Sequence, residues 1–301
     1  MHAKNPPSRK DGTKRFVRIK FPDMERLRIS AISYLNTAPL MWDFERGNAG
    51  ENFEISYTIP SQCAVQLRAG TADIGIIPVA AYAVIPDLVI LPGVAIASRK
   101  AVRSILLVSK VPRERIRTAA LDASSMTSAA LTKVLFRKWW GGLPKFVDMA
   151  PDVEQMLGQH DAGLLIGDPA LRIDRSRYFT YDLAEEWNRF TGKPFVFAFW
   201  AVRQEALREA WSEFDLAGIF QRSRDHGLQP DPLAQIARQW APRLGLSELQ
   251  VREYLTENIH YHLDAPSLEG LQLFLRYARE CDALPAAPTL NFLDTAKAVA
   301  T

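Results

Sequence analysis

The sequence predicts an α/β protein with two lobes and a ligand cleft between them. From Arg26 onward, short apolar runs alternate with amphipathic segments, which is typical of α/β domains. The predicted strands fall into two groups, residues 27–110 and 117–200, and the segment beyond them has a helical pattern. A chain of 301 residues, 48% of them hydrophobic, is long enough to bury a core in each group.

The first group begins with two strands joined by a short helix. LRISAIS (residues 27–33) is the first strand, APLMWDFERG is the helix and FEISYTIP (residues 53–60) is the second strand. Apolar side chains occupy alternate positions of the second strand, which predicts one buried face; they are Phe53, Ile55, Tyr57 and Ile59.

A helix and three strands complete the first group. Residues 61–70 are predicted to be helical, with Ser61 as the N-cap and Gly70 just past the end. The strands lie at residues 72–82, 88–98 and 102–110, and the first of them breaks at Pro78.

The second group repeats the alternation of strand and helix. Its strands are RTAALD (117–122), KFVDM (145–149), AGLLIGDPAL (162–171) and FVFAFWAV (195–202). The loop ASSMTS leads into the helix LTKVLFRKWW, which Gly141 and Gly142 stop, and PDVEQMLGQH is a second helix. In the helical segment that follows, Ser247 and Gln250 form a capping box, and Ser267 to Cys281 is an amphipathic helix.

The two groups predict a chain that crosses to a second lobe and returns. VRSILLVS and FVFAFWAV are the expected crossing strands. We therefore assign residues 26–110 and 201–301 to lobe 1 and residues 111–200 to lobe 2. The helical C-terminal part is expected to pack on lobe 1.

Residues 1–25 are predicted to be a disordered basic tail. This segment contains seven lysines and arginines and no apolar stretch like that of a secretory signal. The alternative is an arm that binds nucleic acid or membrane. The rest of the chain shows no basic face and no apolar window long enough to span a membrane, and the net charge of the whole chain is only +3. We expect neither nucleic acid nor membrane as a partner.

The cysteines and histidines give little support to a disulfide framework or a metal centre. Cys63 and Cys281 are far apart and their spacing does not indicate a disulfide, which fits a cytoplasmic protein. On a strand, His260 and His262 would share one face, either as metal ligands or as a surface or edge pair.

Polar side chains gather where the predicted strands end. They lie in SYLNT (33–37), PSQ (60–62), IPV (77–79), SSMTS (124–128) and GDP (167–169), with Ser104 in a crossing strand. If the sheets are parallel, these loops line one crevice between the lobes. PSQ and SSMTS also open helices, so their hydroxyls either cap those helices or help to bind a carboxylate or phosphate.

Two single residues have both a structural and a functional interpretation. Asp168 is either an acid or base or the cap of the segment after it. Asn36 either anchors a substrate hydroxyl or stabilises a turn. The sequence contains none of the P-loop, dinucleotide-binding, nucleophile-elbow and HExxH motifs.

Several of these stretches, in this order and spacing, resemble one enzyme family. ISYLNTAPL, PSQCAVQLRAGTADIGIIPVAAY, LPGVAIASRKAVRSILLVS, TAALDASSMTSAALTKVL, LLIGDPAL and YDLAEEWNRFTGKPFVFAFWAVR resemble the menaquinone biosynthetic enzymes that act as chorismate dehydratases in the futalosine pathway. The resemblance covers residues 26–282. It implies a cytoplasmic hydro-lyase with a type 2 periplasmic-binding-protein-like fold, with chorismate as substrate and without metal or organic cofactor.

The resemblance also implies a set of site residues. Catalytic roles fall on Asn36, Ser104 and Asp168, and substrate binding falls on Ser33, Tyr34, Ser61, Ser124, Ser125, Thr127 and Ser128. Cys63 and Met126 depart from the family pattern. The family usually has an acidic or apolar residue at the first position and a basic residue at the second. Because the loops offer few bases, the enolpyruvyl carboxylate of the substrate is expected to take the proton, with Asp168 as the alternative.

Two other functions fit part of the same pattern. A cytoplasmic protein that binds a small anion would share the fold, and fold alone does not settle function. The sister enzyme, 1,4-dihydroxy-6-naphthoate synthase, shares the pathway and the fold, but its first loop differs from SYLNT.

Overall fold

A computed structural model describes residues 26–207 and 214–294, and the predicted basic tail (1–25) lies outside them. The described part contains two five-stranded sheets covered by helices. The strands are β1 Leu27–Ile32, β2 Phe53–Thr58, β3 Ile74–Pro78, β4 Leu88–Ser98, β5 Ile105–Ser109, β6 Thr118–Asp122, β7 Lys145–Met149, β8 Ala162–Ile166, β9 Phe179–Asp182 and β10 Phe195–Arg203.

Eleven α-helices of the described residues connect and cover these strands. They are α1 Trp42–Arg46, α2 Pro60–Ala69, α3 Val79–Tyr82, α4 Thr127–Leu135, α5 Val153–Gln159, α6 Gly167–Leu171, α7 Leu183–Thr191, α8 Leu216–Gly227, α9 Pro230–Leu244, α10 Glu248–Glu253 and α11 Ala265–Glu280. A 3₁₀ segment, Leu35–Met41, follows β1 directly. None of the described helices is long and apolar enough to cross a membrane.

Both sheets are mixed rather than parallel throughout. The first has the order β2-β1-β3-β10-β4, and β10 runs antiparallel to both of its neighbours. The second has the order β7-β6-β8-β5-β9, and β5 is likewise antiparallel to β8 and β9. The strands β1, β3, β6 and β8 still end at the space between the sheets, so the predicted gathering of their loops does not depend on β5 or β10.

The two predicted crossing strands each belong to a single sheet. β5 lies in the second sheet and β10 in the first. The chain therefore passes between the sheets through residues 99–104 and returns through residues 183–194, which include α7. Below, the first lobe means the first sheet with its helices and the second lobe the second sheet with its helices, so that β5 counts with the second lobe and β10 with the first. Strand β10 lies between β3 and β4, and every residue of it except Arg203 is buried, which explains its unbroken apolar run.

Some local predictions are confirmed and others are wrong. The bounds of β4 and β7 and the capping box of Ser247 and Gln250 are as predicted. Ser61 is not an N-cap, because α2 starts at Pro60 and Ile59 precedes it. Gly70 ends that helix with a φ of 71°, the left-handed conformation that glycine favours.

The predicted buried face of β2 is wrong for most of its length. Phe53 is buried, but Tyr57 and Ile59 are exposed, since β2 is an edge strand with only β1 beside it. The predicted strand 162–171 is also too long: β8 ends at Ile166, and Gly167 turns the chain into α6 with a φ of 63°. His260 and His262 do share one side, with ring centroids 5.5 Å apart, and no cluster of metal-ligand residues occurs in the described parts of the chain.

Candidate functional site

A cavity lies between the two sheets, where loops from both lobes meet. Its empty space, including the mouth, is about 480 Å³. The lining residues are Ile32, Tyr34, Asn36, Pro60, Pro78, Ile96, Ile105, Ser125, Met126, Thr127, Ser128, Ile166, Gly167, Phe197 and Ala198. The wall is mostly apolar and includes no lysine, arginine or histidine.

Helix α4 of the second lobe begins at this cavity. Met126, Thr127 and Ser128 all line it, and Met126, the N-cap, has no side chain that could accept a hydrogen bond from the first turn. The first amides of a helix lack partners within the helix, and the helix dipole places positive potential there. The start of α4 can therefore bind an anionic oxygen of a ligand.

Helix α2, which follows β2 of the first sheet, begins at the same cavity. Pro60, its first residue, lines the cavity, and its N-cap Ile59 also provides no side-chain acceptor. Ser61 lies in the first turn of α2 and is half-buried. Two uncapped helix N-termini from different lobes thus border one space.

Thr127 fixes the start of α4 to the first lobe. Its Oγ1 accepts a hydrogen bond from the amide of Ala80 at 3.1 Å and donates to the carbonyl of Phe197 at 3.2 Å. Because both functions of this hydroxyl are used, Thr127 positions the helix rather than offering a free donor. Among the described residues, the hydroxyls of Ser125 and Ser128 have no such partner.

Tyr34 and Leu35 reach from the first lobe to the second. The ring of Tyr34 lies over Gly167, where an added Cβ would be 2.6 Å from two ring carbons. The amide of Leu35 donates to Asp168 Oδ1 at 3.1 Å. Burial raises the pKa of Asp168 to about 6, and the Leu35 amide and the charge of Arg172 offset only part of that rise.

Asn36 belongs to a hydrogen-bonded group behind the cavity wall. Tyr254 is fully buried and donates from Oη to Ser104 Oγ at 2.8 Å. The Asn36 side chain also lies close enough to the Tyr254 phenol to interact with it, while burial raises the pKa of the phenol. Ser104 is fully buried and its carbonyl accepts from the Gly167 amide at 2.8 Å. Asn36 is the member of this group that lines the cavity.

A second polar group supports Tyr34. Ser124 donates from its hydroxyl to Asp122 Oδ1 at 2.7 Å, and its side chain lies near the Tyr34 phenol. Asp122 is 1% exposed, and burial raises its pKa. Burial also raises the pKa of Tyr34, and the nearby Asp122 and Asp168 carboxylates raise it further, so the phenol stays protonated.

The residues predicted from the sequence do not all reach the cavity. Tyr34, Asn36, Ser125, Thr127 and Ser128 line it. Ser33 is exposed, and its hydroxyl donates to the Thr58 carbonyl at 3.3 Å. The other predicted site residues lie near the cavity but outside its lining; these are Ser61, Ser104, Ser124 and Asp168.

Sequence reasoning missed Tyr254 as part of the site. It follows α10 in the helical C-terminal part, and Ser104 lies 150 positions earlier in the chain. No local pattern marks a tyrosine whose partner is so distant. The one available signal is that a buried Ser104 needs a hydrogen-bond partner.

Comparison with known proteins identifies a family and a related protein. The family described as menaquinone biosynthesis matches residues 27–280. A protein of Thermus thermophilus named chorismate dehydratase is 29% identical over 282 residues, which cover 85% of this chain and 94% of that protein.

Solved structures support the fold. A protein of Archaeoglobus fulgidus matches with a TM-score of 0.66 and 15% identity, covering 86% of this chain and 98% of that one. The alkanesulfonate-binding protein SsuA of Xanthomonas axonopodis pv. citri, bound to MOPS, matches with a TM-score of 0.62 and 18% identity over 87% and 95% of the two chains. The predicted periplasmic-binding-protein-like α/β fold is confirmed.

Proposed function

The chain belongs to the menaquinone biosynthesis family, and we propose that within it this protein is a chorismate dehydratase. The reaction would convert chorismate to 3-[(1-carboxyvinyl)oxy]benzoate and water. The Thermus thermophilus relative, which carries that name, supports the choice of substrate.

The observation that carries the proposal is the pair of uncapped helix N-termini. Helices α2 and α4 both begin at an apolar cavity that has no cationic side chain in its lining. Chorismate has a ring between two carboxylates. Helix N-termini can bind such groups without arginine, and an apolar wall with little water strengthens each contact. A ring with a carboxylate at each end fits this arrangement.

The reaction needs one proton transfer, from C3, and the loss of one leaving group, the hydroxide at C4. The C3–H bond breaks, its electron pair forms the C3–C4 double bond, and the C4–O bond breaks with loss of hydroxide, which becomes water on gaining a proton. The oxidation state does not change and an aromatic ring forms, so the reaction needs no redox cofactor. The protein's task is then positioning and charge placement.

We assign the proton transfer to the substrate itself. The enolpyruvyl group is joined to C3 through its ether oxygen and carries its carboxylate close to the C3 hydrogen, whereas Asp168 lies outside the cavity lining and accepts a hydrogen bond from the Leu35 amide. Asn36 would contact the ring hydroxyl that leaves, and Tyr254 and Ser104 would hold Asn36 in place. We expect Asp168→Asn to keep turnover within about tenfold of the parent. A loss of several orders of magnitude with unchanged chorismate binding would instead make Asp168 the base.

The direct experiment is to incubate the purified protein with chorismate and identify products by liquid chromatography and mass spectrometry. An aromatic product lighter than chorismate by one water, formed faster than chorismate decays in buffer, is the expected result. Tight binding without conversion would favour a protein that only binds a small anion. Neither binding nor conversion would favour the sister 1,4-dihydroxy-6-naphthoate synthase activity.

A further inference from the structure

A second cavity lies on the other side of Tyr34. It is formed by α1, β2 and α9 of the first lobe, and Ile32 and Tyr34 line both this cavity and the cleft. Its empty space, including the mouth, is about 740 Å³. We call it the tryptophan groove, after Trp42 and Trp240 in its wall. The function proposed above makes no use of it.

Two helices each turn one face toward the groove. On α9 the residues are Ile236, Gln239, Trp240 and Arg243, at the spacing that places side chains on one side of a helix. On α1 the residues are Trp42, Glu45 and Arg46, again three and four apart. Both tryptophans are half-buried, and Tyr57 of β2 is 46% exposed. The groove therefore presents partly exposed aromatic rings, with an arginine over each of the two tryptophans.

The positive charges of the groove are not neutralised by ion pairs. Arg46 lies 4.7 Å from the centre of the Trp42 ring, and among residues 26–207 and 214–294 it donates only to the neutral side chains of Gln235 and Gln239. Arg243 lies 5.3 Å from the centre of the Trp240 ring, and within the described residues its guanidinium has no hydrogen-bond or ion-pair partner. The only carboxylate in the lining, Glu45, accepts a hydrogen bond from Tyr57. The lining thus has a formal charge of +1.

We propose that the tryptophan groove binds a small aromatic carboxylate, which stacks on the exposed rings and pairs with Arg243. An arginine fork suits a carboxylate, and a planar ring suits the aromatic wall. This site is separate from the cleft, and its binding function does not depend on the proposed dehydratase activity. Because Tyr34 forms a wall of both spaces, a ligand in the groove restrains the side chain that lies over Gly167.

The test is calorimetric titration of the full chain with benzoate, and with cyclohexanecarboxylate as a non-planar acid of similar size. Saturable benzoate binding in the millimolar range or tighter is expected, with the saturated acid binding about tenfold more weakly. Arg243→Gln should weaken benzoate about tenfold, and Trp240→Leu should weaken it at least as much. Arg243 is exposed, so its variant should fold like the parent.

Two matched variants decide between the groove and other sites. Arg276→Gln removes an arginine that also lies over an aromatic ring, at 5.6 Å from the centre of Tyr277, but on α11. Asn36→Leu alters the cleft. Both should bind benzoate like the parent. The proposal is overturned if benzoate does not bind, if Arg243→Gln binds it normally, if Asn36→Leu alone abolishes binding, or if both acids bind equally well.

Discussion

At the residue scale, Asp168 is a carboxyl group whose surroundings favour its neutral form. Its pKa is raised from 3.8 to about 6 by burial. Below pH 4 both the folded and the unfolded chain hold the proton. As pH rises from about 4 to about 6, the unfolded chain loses the proton while the folded chain keeps it, so the free energy of unfolding decreases through this window.

Asp168→Asn should remove this pH dependence, because the amide stays neutral and can still accept the Leu35 hydrogen bond. We expect the stability of the variant relative to the parent to increase by about 2 kcal/mol between pH 4 and pH 8. Urea unfolding of both proteins at the two pH values measures this, and other titrating groups cancel in the comparison. A difference that stays constant with pH would show that Asp168 is ionised throughout in the folded protein.

Tyr254 offers a second prediction at this scale, with a matched control. Tyr254→Phe leaves Ser104 Oγ without its donor and removes the hydroxyl beside Asn36, in a buried setting. We expect turnover to fall about tenfold to a hundredfold with little change in KM, and the free energy of unfolding to decrease by about 1–3 kcal/mol.

The control is Tyr261→Phe. Tyr261 is also buried, but its Oη has no hydrogen-bond partner in the described part of the chain. Removing an unsatisfied buried hydroxyl should leave turnover unchanged and stability equal or higher by about 1 kcal/mol. Steady-state kinetics and urea unfolding of both variants give the result. Equal losses of turnover in the two variants would attribute the effect to packing rather than to the Ser104 and Asn36 contacts.

At the scale of elements, the sequence predicts a helix or strand correctly where residues close together in the chain determine it. The apolar run of β4 and the capping box of α10 depend on neighbouring residues, and both were predicted. Strand β9 was missed because it is four residues long and owes its place to pairing with β5, about 70 positions earlier. Asn36 could be predicted from its position after β1, whereas Tyr254 owes its role to tertiary contact with Ser104.

The start of α4 allows a charge series at one position. Met126 lines the cavity and is the N-cap of α4, next to the amides expected to bind a carboxylate. We expect Met126→Lys to lower KM for chorismate and Met126→Glu to raise it, each by about threefold to tenfold, because the added charge attracts or repels the dianion. Met126→Gln is the neutral control of similar size.

Helix stability should change in the opposite direction to substrate binding. A positive charge at a helix N-terminus is unfavourable and a negative one favourable, each by about 0.3–1 kcal/mol. Kinetics at low and high salt, together with thermal unfolding of the three variants, measure both effects. If KM is the same for the lysine and glutamate variants, the substrate carboxylates do not lie at the start of α4.

At the scale of the whole molecule, a few contacts set how the lobes meet. Thr127 joins α4 to Ala80 and Phe197, the amide of Leu35 donates to Asp168, and the Tyr34 ring lies over Gly167. Each contact has one partner in each lobe and lies at or beside the cavity. The geometry of the cleft therefore depends on close approach between the lobes as much as on either sheet.

Gly167 tests this dependence, because both its φ of 63° and its contact with Tyr34 disfavour a side chain. Gly192 has a φ of 70° with no atom within 4 Å of an added Cβ, so Gly192→Ala measures backbone strain alone, about 1–2 kcal/mol. Gly167→Ala should cost about 1–3 kcal/mol more and lower kcat/KM at least tenfold, since Tyr34 must move.

Combining Gly167→Ala with Tyr34→Ala removes the steric clash and should recover most of the additional stability loss, although not turnover, because Tyr34 itself lines the cavity. Urea unfolding and kinetics are measured for the parent, Gly167→Ala, Tyr34→Ala and the double variant, which together form a double-mutant cycle. Equal destabilisation by Gly167→Ala and Gly192→Ala would mean that the lobes yield to the added methyl group at no cost. Approach of the lobes at Gly167 would then not determine the shape of the cleft.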